Sequence, residues 1–347
     1  MTQLLRVDPA NPDPRSIDRA AECLREGGLV AFPTETVYGL GAHALDRAAI
    51  RKLFVAKERP ANDPLIVHVA TLDDIAPLVA DIPPAAQDVA ARFWPGPLTI
   101  VLRRSSRVPE EVTAGLETVA IRVPSHPVAR ALLERANIPI AAPSANLFSR
   151  PSPTRASHVL ADLNGRIDII LDGGSTNVGL ESTVVDLSTA VPTVLRPGAI
   201  ALDALRECLP SVTMRDVTAH GGAAMLSPGL LTKHYSPRTP VFLHEGDRDT
   251  AVGLMKLTAR KLIDRGDSVV VLAYSEDVDE LRSLRLHIVE LGNENNPATV
   301  AARLYAALRE CDDAGANVIL VRNITTDHPL SAAIRDRLRR ASLKTGA

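Results

Sequence analysis

What most constrains this chain is a succession of short apolar runs, each about long enough for one strand and each stopped by proline, glycine or a small hydroxyl residue. "LVAF", "PLIVHVA", "LTIVLR", "VAIRVP", "IPIAAP", "RIDIIL", "STVVDL" and "TVLRPG" follow one another before residue 200. Helical spacing interrupts them in fewer places. "RSIDRAAECLREGG" sets Ile17, Ala20, Ala21 and Leu24 on one face and stops at Gly27 and Gly28. "DRAAIRKLFVAKER" follows a capping Asp46, and "HPVARALLERAN" is helical again. Strands outnumber helices, so the expected fold is α/β with a mixed sheet rather than a regular βαβ repeat.

At 347 residues the chain has room for two domains. Between residues 211 and 239 the periodic signal gives way to glycine, proline and serine in "SVTMRDVTAHGGAAMLSPGLLTKHYSPRT", which reads as a linker. Beyond it helices such as "DTAVGLMKLTARKLIDRG" and "ATVAARLYAALRECDDAGA" alternate with strands such as "SVVVLAY", "HIVELG" and "NVILVR", predicting a smaller α/β domain with parallel strands. The expected division is 13–210, a linker 211–239, and 240–345. Lysine and arginine total 39 against 41 acids, so global charge gives no reason to expect a nucleic-acid or membrane-surface binder. Cys23, Cys208 and Cys311 are far apart and odd in number, which suits reduced thiols rather than a disulfide framework or a zinc site. No signal-peptide pattern or long apolar stretch occurs, so the cytoplasm is the expected compartment.

The familiar compact motifs are missing: no Walker-type phosphate loop, no HExxH, no GxSxG elbow. The run from Gly39 to Ala44 mimics a dinucleotide fingerprint, but "PTETVY" separates it from its strand and Pro33 breaks the tight turn that fingerprint needs. Instead, the strands end in hydroxyls, amides and cations. Thr34 and Thr36 follow "LVAF"; Ser144 and Asn146 follow "IPIAAP"; Ser152 and Thr154 come shortly after; Ser182 and Thr183 open "STVVDL"; Arg196 closes "TVLR". Singly, such residues cap helices and make turns. Gathered at one edge of a sheet they make a crevice. Arg122 projects from the otherwise apolar "VAIRV" and needs an anionic partner. His68 alternates out of "PLIVHVA" and reads equally as a core histidine or a ligand contact, while Lys57 and Arg59 lie where Pro60 ends a helix. Four cations among hydroxyls would suit a polyanion such as a nucleoside triphosphate.

"FPTETVYGLG", "KERPANDPLIVHV", "WPGPLTIVL", "VAIRVP", "APSAN", "SPT", "LDGG", "GLESTVVDL" and "LRPGAI" together resemble, in order, the motifs of the YrdC/Sua5 family of L-threonylcarbamoyladenylate synthases. "SPGLLTKHYSP" resembles the linker of the longer Sua5 type. The resemblance implies an N-terminal twisted, open sheet with a large concave polar cavity, plus a Rossmann-like C-terminal domain. It implies a nucleotidyltransferase that joins L-threonine, bicarbonate and ATP, the last bringing Mg2+, into threonylcarbamoyl-AMP and pyrophosphate. A separate threonylcarbamoyl transferase complex would then modify tRNA beside the anticodon. On this resemblance threonine meets Thr34, Thr36, His68, Arg122, Ser182 and the backbone around Ala142. ATP meets Lys57, Arg59, Thr118, Ser144, Asn146, Ser152 and Arg196, with Tyr235 of the linker closing over it. Lys57, Arg59, Ser144 and Asn146 would carry the catalytic contacts, and no residue is assigned to hold a metal. Asp63 stands where the family commonly has asparagine, at a position that would also face ATP. Two other readings are a non-catalytic module for double-stranded RNA or tRNA and a carbamoyl-adenylate chemistry of hydrogenase maturation. Few aromatics are available for stacking in the first case, and the second lacks its paired cysteines.

Overall fold

The computed structural model describes residues 1–215 and 234–342. They divide into two compact units. The first comprises Met1–Phe148, Pro153–Asn177 and residues 181–215; the second comprises Ser149–Ser152, Val178–Leu180 and residues 234–342.

The first unit is built on a mixed sheet. In chain order its strands are β1 (Gln3–Arg6), β2 (Val30–Pro33), β3 (Tyr38–His43), β4 (Ile66–His68), β5 (Leu98–Arg103), β6 (Thr118–Arg122), β7 (Ile140–Ala141), β8 (Ile169–Asp172), β9 (Thr183–Asp186), β10 (Thr193–Arg196) and β11 (Thr213–Met214). In space the order is β1-β8-β2-β3-β7-β4-β6-β5-β9-β10-β11. β4 pairs parallel with β6, and β6 antiparallel with β5, which puts His68, Arg122 and Thr99 in one row across three strands.

Alternation along these strands separates two faces. One carries Ala31, Leu40, Val67, Ile100, Val119, Ile121 and Val185 into a single core with Ile50 and Leu53 of the helix Arg47–Lys57 and Val89 of the helix Pro84–Phe93. Two helices pack against part of the opposite face. Helix Pro14–Arg25 and helix Pro127–Ala136 pack Ile17, Leu24, Val128 and Leu132 against Val30, Phe32, Ile140 and Ala142. The first of these helices starts where Asp13 accepts from Ser16 N at 3.0 Å and ends before Gly27, which adopts φ +77. Past Phe32 the same face shows a small apolar patch, Ile66, Val101, Ala120, Val184 and Leu195, and beside it the polar row.

Three features depart from the sequence reading. "YGLGAH" is a strand: Gly39 lies over Ala142 and Phe32, Gly41 over Phe32 and Ile140, and a Cβ at Gly41 would come within 2.9 Å of both of its neighbours. β1 precedes the expected domain start, and β11 lies inside the segment read as linker, paired with β10. Most of that linker, residues 216–233, lies outside the described residues.

The second unit holds a parallel sheet in the order β12 (Val241–His244), β15 (Val318–Arg322), β13 (Val269–Tyr274), β14 (His287–Gly292). The helices Arg248–Asp264, Pro297–Asp313 and Pro329–Ala341 complete it, as the alternation predicts. Among the described residues no helix is long and apolar enough to cross a membrane.

Candidate active site

The site is built on the part of the first unit's sheet beyond the helices Pro14–Arg25 and Pro127–Ala136, where its side chains are nonetheless buried. β2 ends at Pro33, and the turn to β3 folds on its own hydroxyls. Thr34 Oγ1 lies 2.8 Å from Thr36 Oγ1, and it donates to Val37 O at 2.7 Å. Both threonines are buried. The residue between them, Glu35, extends its carboxylate to β6: Oε1 accepts from Arg122 Nη2 at 2.7 Å, and Oε2 accepts from Ser125 N at 3.2 Å. Arg122 is 4% exposed, so this ion pair sits in poorly screened surroundings. Among the described residues its Nε is buried without a hydrogen-bond partner.

Strand pairing sets Arg122's neighbours. His68 on β4 is 3% exposed and lies edge-on to Phe32 at 6.4 Å, the border of the helix-covered region. Burial, reinforced by the Arg122 charge, holds its imidazole at a pKa of about 3, so at neutral pH it is an uncharged hydrogen-bonding group. On the other side Thr99 Oγ1 lies 2.7 Å from Ser182 Oγ. Arg196 closes the row, donating to Ser182 O at 3.2 and 3.1 Å and to Ser182 Oγ at 3.2 Å. Gly198 makes that approach possible, since a Cβ there would stand 2.3 Å from Thr183 N. Thr34, Thr36, His68, Arg122, Ser182 and Arg196 are thus linked, through Glu35 and Thr99, into one polar chain.

A second corner gathers Lys57, Arg59, Asp63, Ser144 and Asn146. The helix Arg47–Lys57 stops at Glu58, in a left-handed conformation with φ 53. Lys57, 1% exposed, commits two donors to main-chain oxygens: Ser144 O at 2.5 Å and Asn146 O at 2.6 Å. Its own carbonyl accepts from Phe148 N at 2.9 Å. The lysine therefore anchors the "APSAN" loop, and burial together with neighbouring Arg59 holds its pKa well below the ordinary value. Arg59 donates to Asp63 O and Pro64 O and forms an ion pair of 2.8 Å with the Asp63 carboxylate, both side chains being buried. An aspartate at this position thus has a cation waiting for it inside its own turn.

The remaining expected residues belong to other elements. Ala142 belongs to the covered region and donates its N–H to Ile66 O at 2.9 Å. Thr118 opens β6 on the same face as Arg122, roughly 13 Å away at the usual rise of a strand. Ser152 and Tyr235 belong to the second unit, where the buried Tyr235 ring lies 5.5 Å from Tyr305 and 5.4 Å from the Arg337 guanidinium. Sequence reasoning missed Glu35 and Thr99. The rule that a buried arginine needs an anion, applied to the one acid in "FPTETVYGLG", points to the first; a hydroxyl interrupting "LTIVLR" marks the second.

A guanidinium among hydroxyls and a neutral imidazole, with more cations along the same unit, defines an α/β protein that binds an anionic, hydroxyl-bearing small molecule. Comparison with known proteins narrows that class. A family model covering Sua5, YciO and YrdC proteins, described as telomere recombination, matches residues 22–198, and the C-terminal domain of threonylcarbamoyl-AMP synthase matches residues 200–342. A threonylcarbamoyl-AMP synthase of Pyrococcus abyssi is 42% identical over 325 residues, 93% of each chain. One from Bacillus subtilis is 40% identical, covering 97% of this chain and 95% of its own. The crystal structure of P. abyssi Sua5 complexed with L-threonine superposes with a TM-score of 0.91 at 40% identity, covering 98% of each chain. The chain belongs to the Sua5/YrdC family.

Proposed function

We propose that this chain is an L-threonylcarbamoyladenylate synthase, a nucleotidyltransferase that converts L-threonine, bicarbonate and ATP into threonylcarbamoyl-AMP and pyrophosphate. The observation that carries the reading is the Arg122 guanidinium, fixed by Glu35 on one side and with a buried, unpartnered Nε, set among the hydroxyls of Thr34, Thr36, Thr99 and Ser182. Such a site suits a ligand that has both a carboxylate and a hydroxyl, and the relative complexed with L-threonine supports that choice.

The chemistry asks mostly for positioning. Threonine's amine adds to bicarbonate with loss of water, and the resulting carbamate oxygen attacks the α-phosphorus of ATP, expelling pyrophosphate. Arg122 would hold the carboxylate and the threonine-bearing turn the hydroxyl, while neutral His68 offers a hydrogen bond without adding charge. Arg196 and the Arg59 corner would place positive charge near the phosphates and Lys57 would hold the Ser144–Asn146 loop that borders them. Mg2+ enters this account as the counter-ion of ATP, a part of the substrate, held mainly by phosphate and water. The adenylate product, a mixed anhydride, would pass in the cytoplasm to a threonylcarbamoyl transferase complex acting on tRNA.

Pyrophosphate release from ATP by the purified chain, with threonine and bicarbonate omitted in turn, tests the reading. Release that requires both is expected. Release indifferent to threonine, or ATP binding without turnover, would favour the non-catalytic RNA-binding module.

A further inference from the structure

Glu35 is a buried carboxylate of the site, and the reaction as written gives it no task. A carboxylate that served only to neutralise a buried arginine would be expected beside a guanidinium whose other donors are also satisfied, because buried polar atoms rarely go unpaired. Arg122 departs from that pattern. Nη2 is bound to Glu35 at 2.7 Å while Nε is buried without a partner among the described residues. The ion pair therefore uses one corner of the fork and leaves another for something else. Glu35 is also tied at its far oxygen to Ser125 N, in the segment that leaves β6, and it is flanked by the two threonines whose hydroxyls meet at 2.8 Å. One side chain thus links the turn that offers hydroxyls to the strand that offers the guanidinium.

We infer that Glu35 is a positioning residue for amino-acid binding: it fixes the Arg122 guanidinium so that its free edge receives a carboxylate, and it locks the Thr34–Thr36 turn at a set distance from that edge. The inference rests on the proposed function, with L-threonine as the ligand. Its physical content is a coupling. Loosening Glu35 lets the arginine fork rotate and frees the turn, so the two ends of the amino acid lose their grips together, whereas the cations that would face ATP are held by other contacts.

The test is calorimetric, on the full chain. L-Threonine and ATP affinities are measured separately for the unaltered protein, Glu35→Gln, Arg122→Lys and the double variant. Glu35→Gln is expected to weaken threonine binding about tenfold to a hundredfold, the range for losing a charge-assisted hydrogen bond, and to change ATP affinity less than about twofold. In the Arg122→Lys background, where the fork is already gone, it should add less than about twofold. Threonine affinity within about twofold of the unaltered chain would overturn the inference. So would a parallel loss of ATP affinity, or an undiminished effect in the Arg122→Lys background. Should Glu35→Gln not fold, Glu35→Asp is held to the same thresholds. Failure of the unaltered chain to bind threonine would instead refute the proposed function, and this inference with it.

Discussion

His68 offers a prediction whose size follows from the structure. Its imidazole is buried in β4 against Phe32 and beside Arg122, and its pKa falls from 6.5 to about 3. The unfolded chain, with a histidine near 6.5, binds the proton that the folded one refuses throughout the window between those values. Folding stability is therefore complete above pH 6.5 and falls as pH drops toward 3. Between pH 7 and pH 5 the linkage integral gives a loss of about 2 kcal/mol from this one group. Urea unfolding followed by the fluorescence of Trp94, the chain's single tryptophan and a residue of the same unit, gives the stability at each pH. His43 and His126 are also depressed by burial, but they contribute equally to the protein and to its His68→Gln variant. The difference between the two pH dependences isolates His68: the unaltered chain should lose about 2 kcal/mol more than the variant. Equal losses would mean that the imidazole is protonated or solvated in the folded state, and that a neutral His68 beside Arg122 is wrong.

Two further substitutions probe the frame of the site. Gly198→Ala places a Cβ 2.3 Å from Thr183 N and 2.6 Å from Glu181 O, main-chain atoms that no rotamer change can move. It should cost about 3 kcal/mol and displace Ser182, lowering the Trp94-reported urea midpoint; an unchanged midpoint would refute the close approach. Asp63→Ala removes the carboxylate paired with the buried Arg59 and should cost about 3–5 kcal/mol in the same assay, while a loss under about 1 kcal/mol would show that the ion pair is dispensable.

Local patterns carried much of this fold. The apolar runs that became β2, β4, β5, β6, β9 and β10 stand in the sequence, and so does the helical face of Ile17, Ala20, Ala21 and Leu24. β3 was hidden because glycine has low strand propensity; its two glycines earn their place by lying against Phe32, with Ala142 beside Gly39 and Ile140 beside Gly41, which only the folded chain brings there. β1 was hidden because its pairing partner, β8, lies far away in sequence. Arg122 announced itself as a charge in an apolar strand, yet its partner Glu35 stands 87 residues earlier. Lys57 shows the same limit from the other side. Its position at a helix end suggested a cation for phosphate, and the structure gives its ammonium to carbonyls 87 and 89 residues away. Residue type and strand phase can be read locally, whereas partners across a mixed sheet cannot.

The most direct test of the central claim is the mass of the nucleotide product formed from ATP, L-threonine and heavy-carbon bicarbonate. The account predicts a threonylcarbamoyl-AMP that carries the heavy carbon, because the carbamate oxygen is the attacking atom. A threonyl-AMP without the label, or AMP alone, would contradict it.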